Sequence, residues 1–438
     1  MPSDSAPTAE TKLLAVSFAF PPLAYPRSIQ VARLLKYVPL QTVLVCADER
    51  AARRDATLEP DAEATLAAVL RVPFAVSRAR SYANAAAHRL SRPLWNRWNR
   101  RPDSYAAWKT PALKAIDDYA RANAYAPEAI ATFSQPAVDH LIGLELKRRL
   151  RVPWLAHFSD PWVDNPFHAT DAATRAFNLA AERAVVEVAD RLVFTSVETV
   201  DLVMSKYPEA WRAKARVLPQ CFDPQLYPAR ANVSTTNDAG SSGVKGAGDA
   251  RLVVRHVGNF YGERTPAPLM RALAALRERD ADALRDARFE LIGVADASVI
   301  EGEWRKSLPQ GLVTAAPPVG YRESLRLMSE AAGLIIIDAP ADVSVFLPSK
   351  LIDYVGAGRP VLGFSPRGAA ASLIERLGGW TIDPADASAG ASALKNFLAY
   401  LRSRADDATP WGTPEVRREY EATHLAAKFD EIVRELLS

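Results

Sequence analysis

Short apolar runs alternate with longer stretches of helical periodicity along the first half of the chain. Each run has about 4–8 residues, the usual length of a buried strand. The runs are LLAVSFAF (13–20), TVLVCA (42–47), AIATF (129–133), PWLAHF (153–158) and RLVFTS (191–196). After the first run, apolar residues at helical spacing predict a helix from about Ser28. Such continuous apolar runs are typical of parallel strands that are covered on both faces.

The same alternation restarts after residue 250. The second set of apolar runs is RLVVRHVG, FELIG, LVTAA, GLIIID, PVLGF and WTID, again with helical stretches between them. The pattern predicts an α/β protein with two doubly wound, Rossmann-like domains. Because ligands of such folds bind beyond the carboxyl ends of the strands, we expect a site in the cleft between the two domains.

A polar, glycine-rich segment separates the two halves. Residues 229–250 contain almost no apolar side chains, which predicts a flexible linker or insertion. With 438 residues the chain is too long for one ordinary domain. The predicted domains are 1–228 and 251–402. A helical segment, 403–438, is expected to pack back on the first domain.

A lysine stands at an unusual place in FLPSKLIDYVGAGRP (346–360). Ser349 is a predicted helix N-cap, and Gly356 and Gly358 are predicted helix stops. Lys350 then lies in the first helical turn, where the helix dipole disfavours a cation. Either the side chain turns away into water, or an anion binds there.

A second strand-to-helix junction also carries a cation. In residues 251–273, a predicted strand leads into a turn with Gly258 and Gly262, and Arg264 stands just before a predicted helix. Backbone N–H groups at such a junction favour phosphate. One such cation alone is typical of a solvated surface. Two at equivalent points of one sheet, Arg264 and Lys350, favour a shared diphosphate.

Asp353 follows Lys350 by three residues and so lies on the same helix face. Its carboxylate could form a salt bridge with Lys350, or accept hydrogen bonds from ribose hydroxyls. The spacing supports both roles equally, so the alternatives stay open.

Several segments carry a family resemblance. PSKLIDYVGAGRPVLGF resembles a nucleotide-binding signature, GNFYGER (258–264) a loop whose basic residue contacts a diphosphate, and HFSDPW (157–162) an Asp-Pro-Trp motif. AERAVVEVADRLVFTSVET (181–199) and ARVLPQCFDPQLY (215–227) stand where the same family has comparable segments. That family is the retaining glycosyltransferases of the GT-B fold, of the large family-four type. The resemblance covers nearly the whole chain.

The resemblance implies transfer of a sugar from a nucleotide diphosphate sugar to a hydroxyl of a glycan or lipid-linked acceptor, with no further cofactor. Arg264 and Lys350 would stabilise the leaving diphosphate. Asp160 would act on the acceptor or the sugar, or it caps the turn before Pro161. The nucleobase is expected near residues 319–325. The implied donor-binding residues are Gly258, Asn259, Gly293, Gly320, Tyr321, Ser349 and Asp353, and the implied acceptor-side residues are Tyr25, Arg27 and His157.

The sequence also departs from the family. Many members carry a glutamate where Val345 stands, and Asp338 and Asp342 are the candidates to replace it. Relatives also commonly have aspartate and arginine at the positions of His157 and Ser159. Two alternatives therefore remain: an epimerase or hydrolase of the same fold, or a catalytically silent protein that binds nucleotide sugars.

Residues 71–109 are strongly basic. They contain nine Lys/Arg residues and one acidic residue, Asp103. They are interleaved with aromatic residues that include Trp95, Trp98, Tyr105 and Trp108. The stretch is either a solvated helix face with core aromatics or a contact with an anionic membrane surface. No recognisable nucleic-acid module accompanies it, so we expect no nucleic acid and favour the inner face of the membrane.

The amino-acid composition bears on the partners, the metal content and the cellular location of the protein. Lys and Arg number 54 against 51 Asp and Glu, so the net charge of +3 indicates no particular partner. Two cysteines argue against a disulfide framework or zinc cluster. The D-x-D triplet 280–282 lies in a predicted helix, and His140 is expected to be packed, so no metal is predicted. With no apolar run near ~20 residues, the sequence predicts a cytoplasmic protein.

Overall fold

The structure, a computed structural model, describes residues 11–49, 52–58, 63–74, 104–167, 170–227, 252–294, 307–405 and 407–438. The chain divides into two compact units. Unit 1 comprises Met1–Pro219 and Ala422–Ser438, and unit 2 comprises Gln220–Glu421. The predicted linker, 229–250, lies outside the described residues.

Unit 1 is built on a seven-stranded parallel sheet. Its strands are β1 (Lys12–Val16), β2 (Gln41–Glu49), β3 (Ala68–Phe74), β4 (Ala129–Ser134), β5 (Trp154–Phe158), β6 (Arg191–Phe194) and β7 (Ala215–Val217). The order is β3-β2-β1-β4-β5-β6-β7, and β1 pairs in parallel with both β2 and β4. Because the chain winds outward in opposite directions from β1 and β4, their carboxyl ends form a topological switch point.

Helices pack on this sheet and enclose an aromatic core. They are α1 (Pro26–Leu35), α2 (Lys109–Asn123), α3 (Val138–Leu150), α4 (Ala172–Val188), α5 (Val197–Met204), α6 (Glu209–Arg212) and, from the end of the chain, α13 (Ala422–Leu437). Trp108, Trp154 and Phe158 are fully buried. The stacking of Phe429 of α13 on Phe133 of β4, with ring centroids 6.0 Å apart, places the last helix in unit 1.

Unit 2 repeats the design with six parallel strands. They are β8 (Leu252–Val257), β9 (Ala287–Ile292), β10 (Val313–Ala316), β11 (Gly333–Ile337), β12 (Val361–Phe364) and β13 (Trp380–Ile382). The order is β10-β9-β8-β11-β12-β13, so the switch point lies at the carboxyl ends of β8 and β11. Its helices are α7 (Ala267–Arg279), α8 (Tyr321–Glu330), α9 (Ser349–Ala357), α10 (Ala369–Arg376), α11 (Ala387–Ser403) and α12 (Pro414–Arg418).

The predicted α/β class with two parallel sheets is confirmed, but several element limits were wrong. The first strand ends at Val16 rather than residue 20, whereas α1 begins at Pro26, within two residues of the predicted start. The pattern also missed β3 and β7, which are the two edge strands of the unit 1 sheet.

Most of the basic stretch 71–109 falls outside the described residues, including Trp95 and Trp98. Of its described aromatic residues, Trp108 is fully buried, and the Tyr105 ring centroid lies 4.6 Å from that of Phe18. These two aromatic residues therefore belong to the core of unit 1. In the described part of the chain, no helix is long and apolar enough to cross a membrane.

Candidate functional site

The helix that carries Lys350 begins one residue earlier than predicted. Pro348, whose backbone is extended, occupies the N-cap position of α9, and no side chain caps the helix. The prediction of Ser349 as the N-cap was therefore wrong, because Ser349 is already helical. Lys350 lies in the first turn, as predicted. Gly358 closes the helix in the left-handed conformation at φ +62°.

Tyr354 attaches α9 to the sheet. Its fully buried hydroxyl accepts a hydrogen bond from the backbone N–H of Val257 at 2.9 Å and donates one to the carbonyl of Ile335 at 3.2 Å. Val257 ends β8, and Ile335 lies in β11. The N-terminus of α9 is thereby held over the switch point of the unit 2 sheet.

The Lys350 side chain does not turn away into open water. Its Nζ lies 3.3 Å from Nε2 of His256. Burial lowers the pKa of Lys350 to about 7, the positive charge of Arg264 acts in the same direction, and the carboxylate of Asp338 opposes them. Near neutral pH the protonated and neutral forms of this amine are therefore close in free energy.

His256 was missed by the sequence reasoning. It lies in β8, is buried, and stacks on Phe260 with ring centroids 4.4 Å apart and an interplanar angle of 13°. Its Nδ1 lies 3.1 Å from the carbonyl of Ile335, which can only accept, so Nδ1 carries the proton and Nε2 can accept from Lys350. Burial, and then the charge of Lys350, keep the pKa of His256 well below its usual value. The ring is neutral at physiological pH.

Arg264 stands in the turn before α7, as predicted, but its charge is already compensated. Its guanidinium forms an ion pair with Asp338 at 2.7 Å, and the two side chains are 7% and 2% exposed. The guanidinium also lies 5.0 Å from the ring centroid of Tyr261 and donates to the Tyr261 hydroxyl. Arg264 is thus fixed in position before any ligand arrives.

Asp338 follows β11 and anchors the loop beyond it. Its carboxylate accepts a hydrogen bond from the Ser344 hydroxyl at 3.0 Å and from the backbone N–H of Ala339 at 2.9 Å, in addition to the pair with Arg264. The two candidates to replace the missing glutamate therefore differ. Asp338 is buried and occupied by these donors, whereas Asp342 is exposed.

Two of the predicted donor-binding glycines allow the strand ends to approach each other closely. Gly258 has φ +140°, and a Cβ there would lie 3.3 Å from both Cδ and Nζ of Lys350. Gly293 has φ +105°, and a Cβ there would lie 2.7 Å from the carbonyl of Gly258. Asn259 follows Gly258 and is exposed.

Asp353 has partners that neither of its two proposed roles included. Its buried carboxylate accepts hydrogen bonds from the hydroxyls of Tyr227 at 3.1 Å and Tyr321 at 3.2 Å. Tyr321 opens α8, and Gly320 is the N-cap of that helix. Predicted donor-binding residues from two helices are thus joined by one carboxylate, while a ribose contact stays a prediction.

Unit 1 has a similar arrangement at its own switch point. Arg27 is the second residue of α1 and is buried; its guanidinium lies 3.0 Å from Nδ1 of His157 and donates to the His157 carbonyl at 3.2 Å. Burial lowers the pKa of Arg27 to about 10, against the carboxylates of Asp160 and Asp139. Burial, and then Arg27, keep the pKa of His157 well below its usual value. Two predicted acceptor-side residues thus form one cluster.

The other predicted residues of unit 1 lie nearby in the chain but have different partners. Tyr25 donates its hydroxyl proton to Glu49 at 2.9 Å. Asp160 is half-buried and accepts from the Ser159 hydroxyl at 3.1 Å. His140 is fully buried with its Nδ1 2.8 Å from the Thr132 hydroxyl, so it is packed, as predicted.

Among the described residues, no group of three or more His, Cys, Asp or Glu side chains is placed to hold a metal ion. That the chemistry needs no metal ion stays a prediction from the sequence.

No protein-family model and no curated protein matches this sequence. Solved structures do match over nearly its whole length. HepE of Anabaena, in complex with UDP and glucose, has a TM-score of 0.61 at 13% identity and covers 97% of this chain and 100% of its own. Sucrose-phosphate synthase of Thermosynechococcus elongatus has a TM-score of 0.63 at 16% identity, with 97% and 99% covered.

The chain has the GT-B fold. The family resemblance seen in the motifs is thereby confirmed at the level of the fold, which is what identities this low can show. A structure described as a UDP-N-acetylglucosamine 2-epimerase of Listeria monocytogenes also matches this chain. That structure matches with a TM-score of 0.53 at 12% identity, covering 98% of this chain and 97% of its own.

Proposed function

We propose that this protein is a glycosyltransferase that binds the diphosphate of a nucleotide sugar at the N-terminus of α9. The observation that carries the proposal is the placement of two cations, Lys350 and Arg264, at the switch point of the unit 2 sheet. Ligands of doubly wound sheets bind at such points. HepE, which shares the fold, was crystallised with UDP and glucose.

The chemistry follows from the charge that develops. The bond between the anomeric carbon and the diphosphate oxygen breaks, the acceptor oxygen bonds to that carbon, and the proton of the acceptor hydroxyl passes in the end to the leaving diphosphate. Until that proton arrives, negative charge builds on the leaving diphosphate. Arg264, the N–H groups of the first turn of α9 and, once it is protonated, Lys350 supply preorganised positive potential there, which is usually the largest single contribution to enzymatic rate enhancement.

The remaining predicted residues complete the proposal. Gly258, Asn259, Gly293, Gly320, Tyr321, Ser349 and Asp353 bind the nucleoside and sugar of the donor. Tyr25, Arg27, His157 and Asp160 serve the acceptor, a hydroxyl on a glycan or a lipid-linked sugar, and transfer retains the anomeric configuration. The basic stretch 71–109 brings the enzyme to an anionic membrane surface.

The test is donor turnover with and without acceptor. The purified protein is incubated with a panel of nucleotide diphosphate sugars, and release of nucleotide diphosphate and the sugar products are followed by NMR. We expect release to increase when a pool of glycan and lipid-linked acceptors is added. Epimerised sugar without acceptor would identify an epimerase, and tight binding without turnover would identify a silent binding protein.

Transfer is expected to continue in excess chelator, because the protein's own cations occupy the place that a divalent ion takes in other enzymes. Initial rates with EDTA, measured against untreated enzyme, check this expectation. Loss of activity in EDTA with recovery on adding Mg²⁺ or Mn²⁺ would contradict the roles of Arg264 and Lys350.

Substituting Gly258 by alanine is expected to weaken nucleotide binding more than it weakens the fold. The new Cβ would press on the Lys350 side chain from 3.3 Å and displace its amine. Both this change and Gly262→Ala impose a strained backbone, which typically costs ~1–3 kcal/mol. Gly262, at φ +58°, is the matched control, since its added Cβ meets no atom within 4 Å.

UDP affinity from calorimetry and the urea unfolding midpoint separate the two effects. Equal losses of affinity in Gly258→Ala and Gly262→Ala would show that strain alone is responsible and that contact with Lys350 is unimportant.

A further inference from the structure

The proposed function does not account for the histidine behind Lys350. His256 donates from Nδ1 to the carbonyl of Ile335 and lies flat on Phe260, so a rotation of its ring out of this plane would break both contacts. Its one remaining polar atom, Nε2, lies 3.3 Å from the amine of Lys350. A buried acceptor is thus aimed at the side chain that we assign to the diphosphate.

We propose that His256 is a positioning residue: it holds the amine of Lys350 at the anion site and sets the pH above which nucleotide diphosphate binding takes up a proton. The inference rests on the proposed function for its ligand, but the arrangement of His256 and Lys350 does not depend on it. His256 itself stays neutral and touches no substrate.

Three neighbouring side chains influence the pKa of Lys350. His256 of β8 offers a lone pair, which favours the ammonium form. Arg264, in the turn before α7, disfavours that form, and Asp338, after β11, favours it. Burial outweighs these effects, so the pKa of the empty protein's Lys350 falls to about 7.

A bound diphosphate places negative charge beside the amine and thereby raises the pKa of Lys350. The sign of the pH dependence follows. Below the pKa of the empty protein, Lys350 is already charged and affinity is greatest. Above it, Lys350 must take a proton from solution when the diphosphate binds. Affinity therefore falls as pH rises from about 7 towards the higher pKa of the complex.

Unit 1 shows the same pairing of a cation with a neutral histidine. Arg27 is the second residue of α1, as Lys350 is of α9, and it lies 3.0 Å from Nδ1 of His157. A guanidinium with a pKa lowered only to about 10 keeps its proton at pH 7, whereas the lysine amine can release its own. Only the pairing in unit 2 therefore provides proton uptake near neutral pH.

The experiment measures UDP binding by calorimetry in buffers of different ionisation enthalpy, from pH 6 to 9. The wild type is expected to take up a fraction of a proton above pH 7. His256→Phe keeps the stacking on Phe260 but removes the acceptor, so it should lose about tenfold in affinity, roughly one hydrogen bond. The decline of its affinity with pH should also begin at a lower pH.

His256→Gln is the rescue variant, since its side-chain carbonyl can reach the place of Nε2; it should recover most of the affinity and the wild-type pH profile. His140→Phe removes a buried histidine of unit 1 and controls for nonspecific damage. Identical proton uptake and pH profile in wild type and His256→Phe would overturn the inference.

A measurement on the empty protein separates this inference from the proposed function. Carbon-13 NMR of the lysine Cε, with Lys350→Arg to assign the signal, gives the titration of Lys350 without any nucleotide. We expect the titration to move to lower pH in His256→Phe and to return in His256→Gln. If the wild type bound no nucleotide diphosphate, the proposed function would fail, and an unchanged Lys350 titration would still refute the role of His256.

Discussion

Replacing Lys350 by alanine is expected to lower the rate of sugar transfer about 10²–10³-fold, the usual effect of removing one preorganised donor to a developing negative charge. Affinity for UDP should fall by about 10–100-fold, the equivalent of one charge-assisted hydrogen bond. Initial rates and calorimetry measure the two losses. The rate should suffer more than the affinity, because the charge on the diphosphate is largest as the bond breaks.

The empty protein should not suffer from the same change. The pKa of Lys350 is about 7 when folded, against about 10.4 for an unfolded lysine. Between these values the unfolded chain binds more protons, so wild-type stability rises with pH across this window. Lys350→Ala should lack this rise and be at least as stable as the wild type near pH 7, even though His256 loses a partner.

Thermal unfolding at pH 7 and pH 9.5 tests this expectation. Lys395→Ala is the matched control, since it removes an exposed lysine of unit 2 whose surface ion pair with Asp280 contributes little. If Lys350→Ala destabilised the empty protein while binding UDP normally, the lysine would be structural and the proposed diphosphate site would be wrong.

Replacing Asp338 by alanine is expected to destabilise unit 2 by ~3–5 kcal/mol, because it leaves the buried guanidinium of Arg264 without its counter-charge. The hydroxyl of Ser344 and the N–H of Ala339 lose their acceptor at the same time. Such a loss is a large part of a typical folding free energy of ~5–15 kcal/mol. Urea unfolding, followed as separate transitions where the two units do not unfold together, measures it.

Two variants sharpen this test. Asp342→Ala removes an exposed carboxylate from the same loop and should change stability little. The double variant Asp338→Ala with Arg264→Ala removes both buried charges, so it should be more stable than Asp338→Ala alone. If Asp338→Ala were as stable as Asp342→Ala, the ion pair would not hold Arg264 in place.

The fold could be predicted wherever burial on both faces left a continuous apolar run. All six strands of the unit 2 sheet were anticipated, and so were the five central strands of unit 1. The two that were missed, β3 and β7, lie at the sheet edges. An edge strand is less enclosed and has a weaker apolar pattern: β3 contains an arginine and a proline, and β7 has only three residues.

The site could be predicted only where its chemistry is local. Lys350 and Arg264 were located from the residues beside them, because a helix start is encoded by its immediate neighbours. Their partners are far away in sequence: His256 lies 94 positions from Lys350, and Tyr227 lies 126 positions from Asp353. Contacts of this kind are set by strand order and packing, which one sequence does not display.

The position of α13 has a consequence for how the protein is made. Unit 2 is one uninterrupted segment of the chain. Its two ends lie side by side, since the N–H of Phe222 donates a hydrogen bond to the carbonyl of Tyr420 at 2.9 Å. Unit 1 is split around it. On the ribosome, the roughly 200 residues of unit 2 emerge over about 10–40 s. Throughout that interval Phe133 lacks its stacking partner Phe429, which has not yet been translated. Translation therefore begins with unit 1 but completes that unit last.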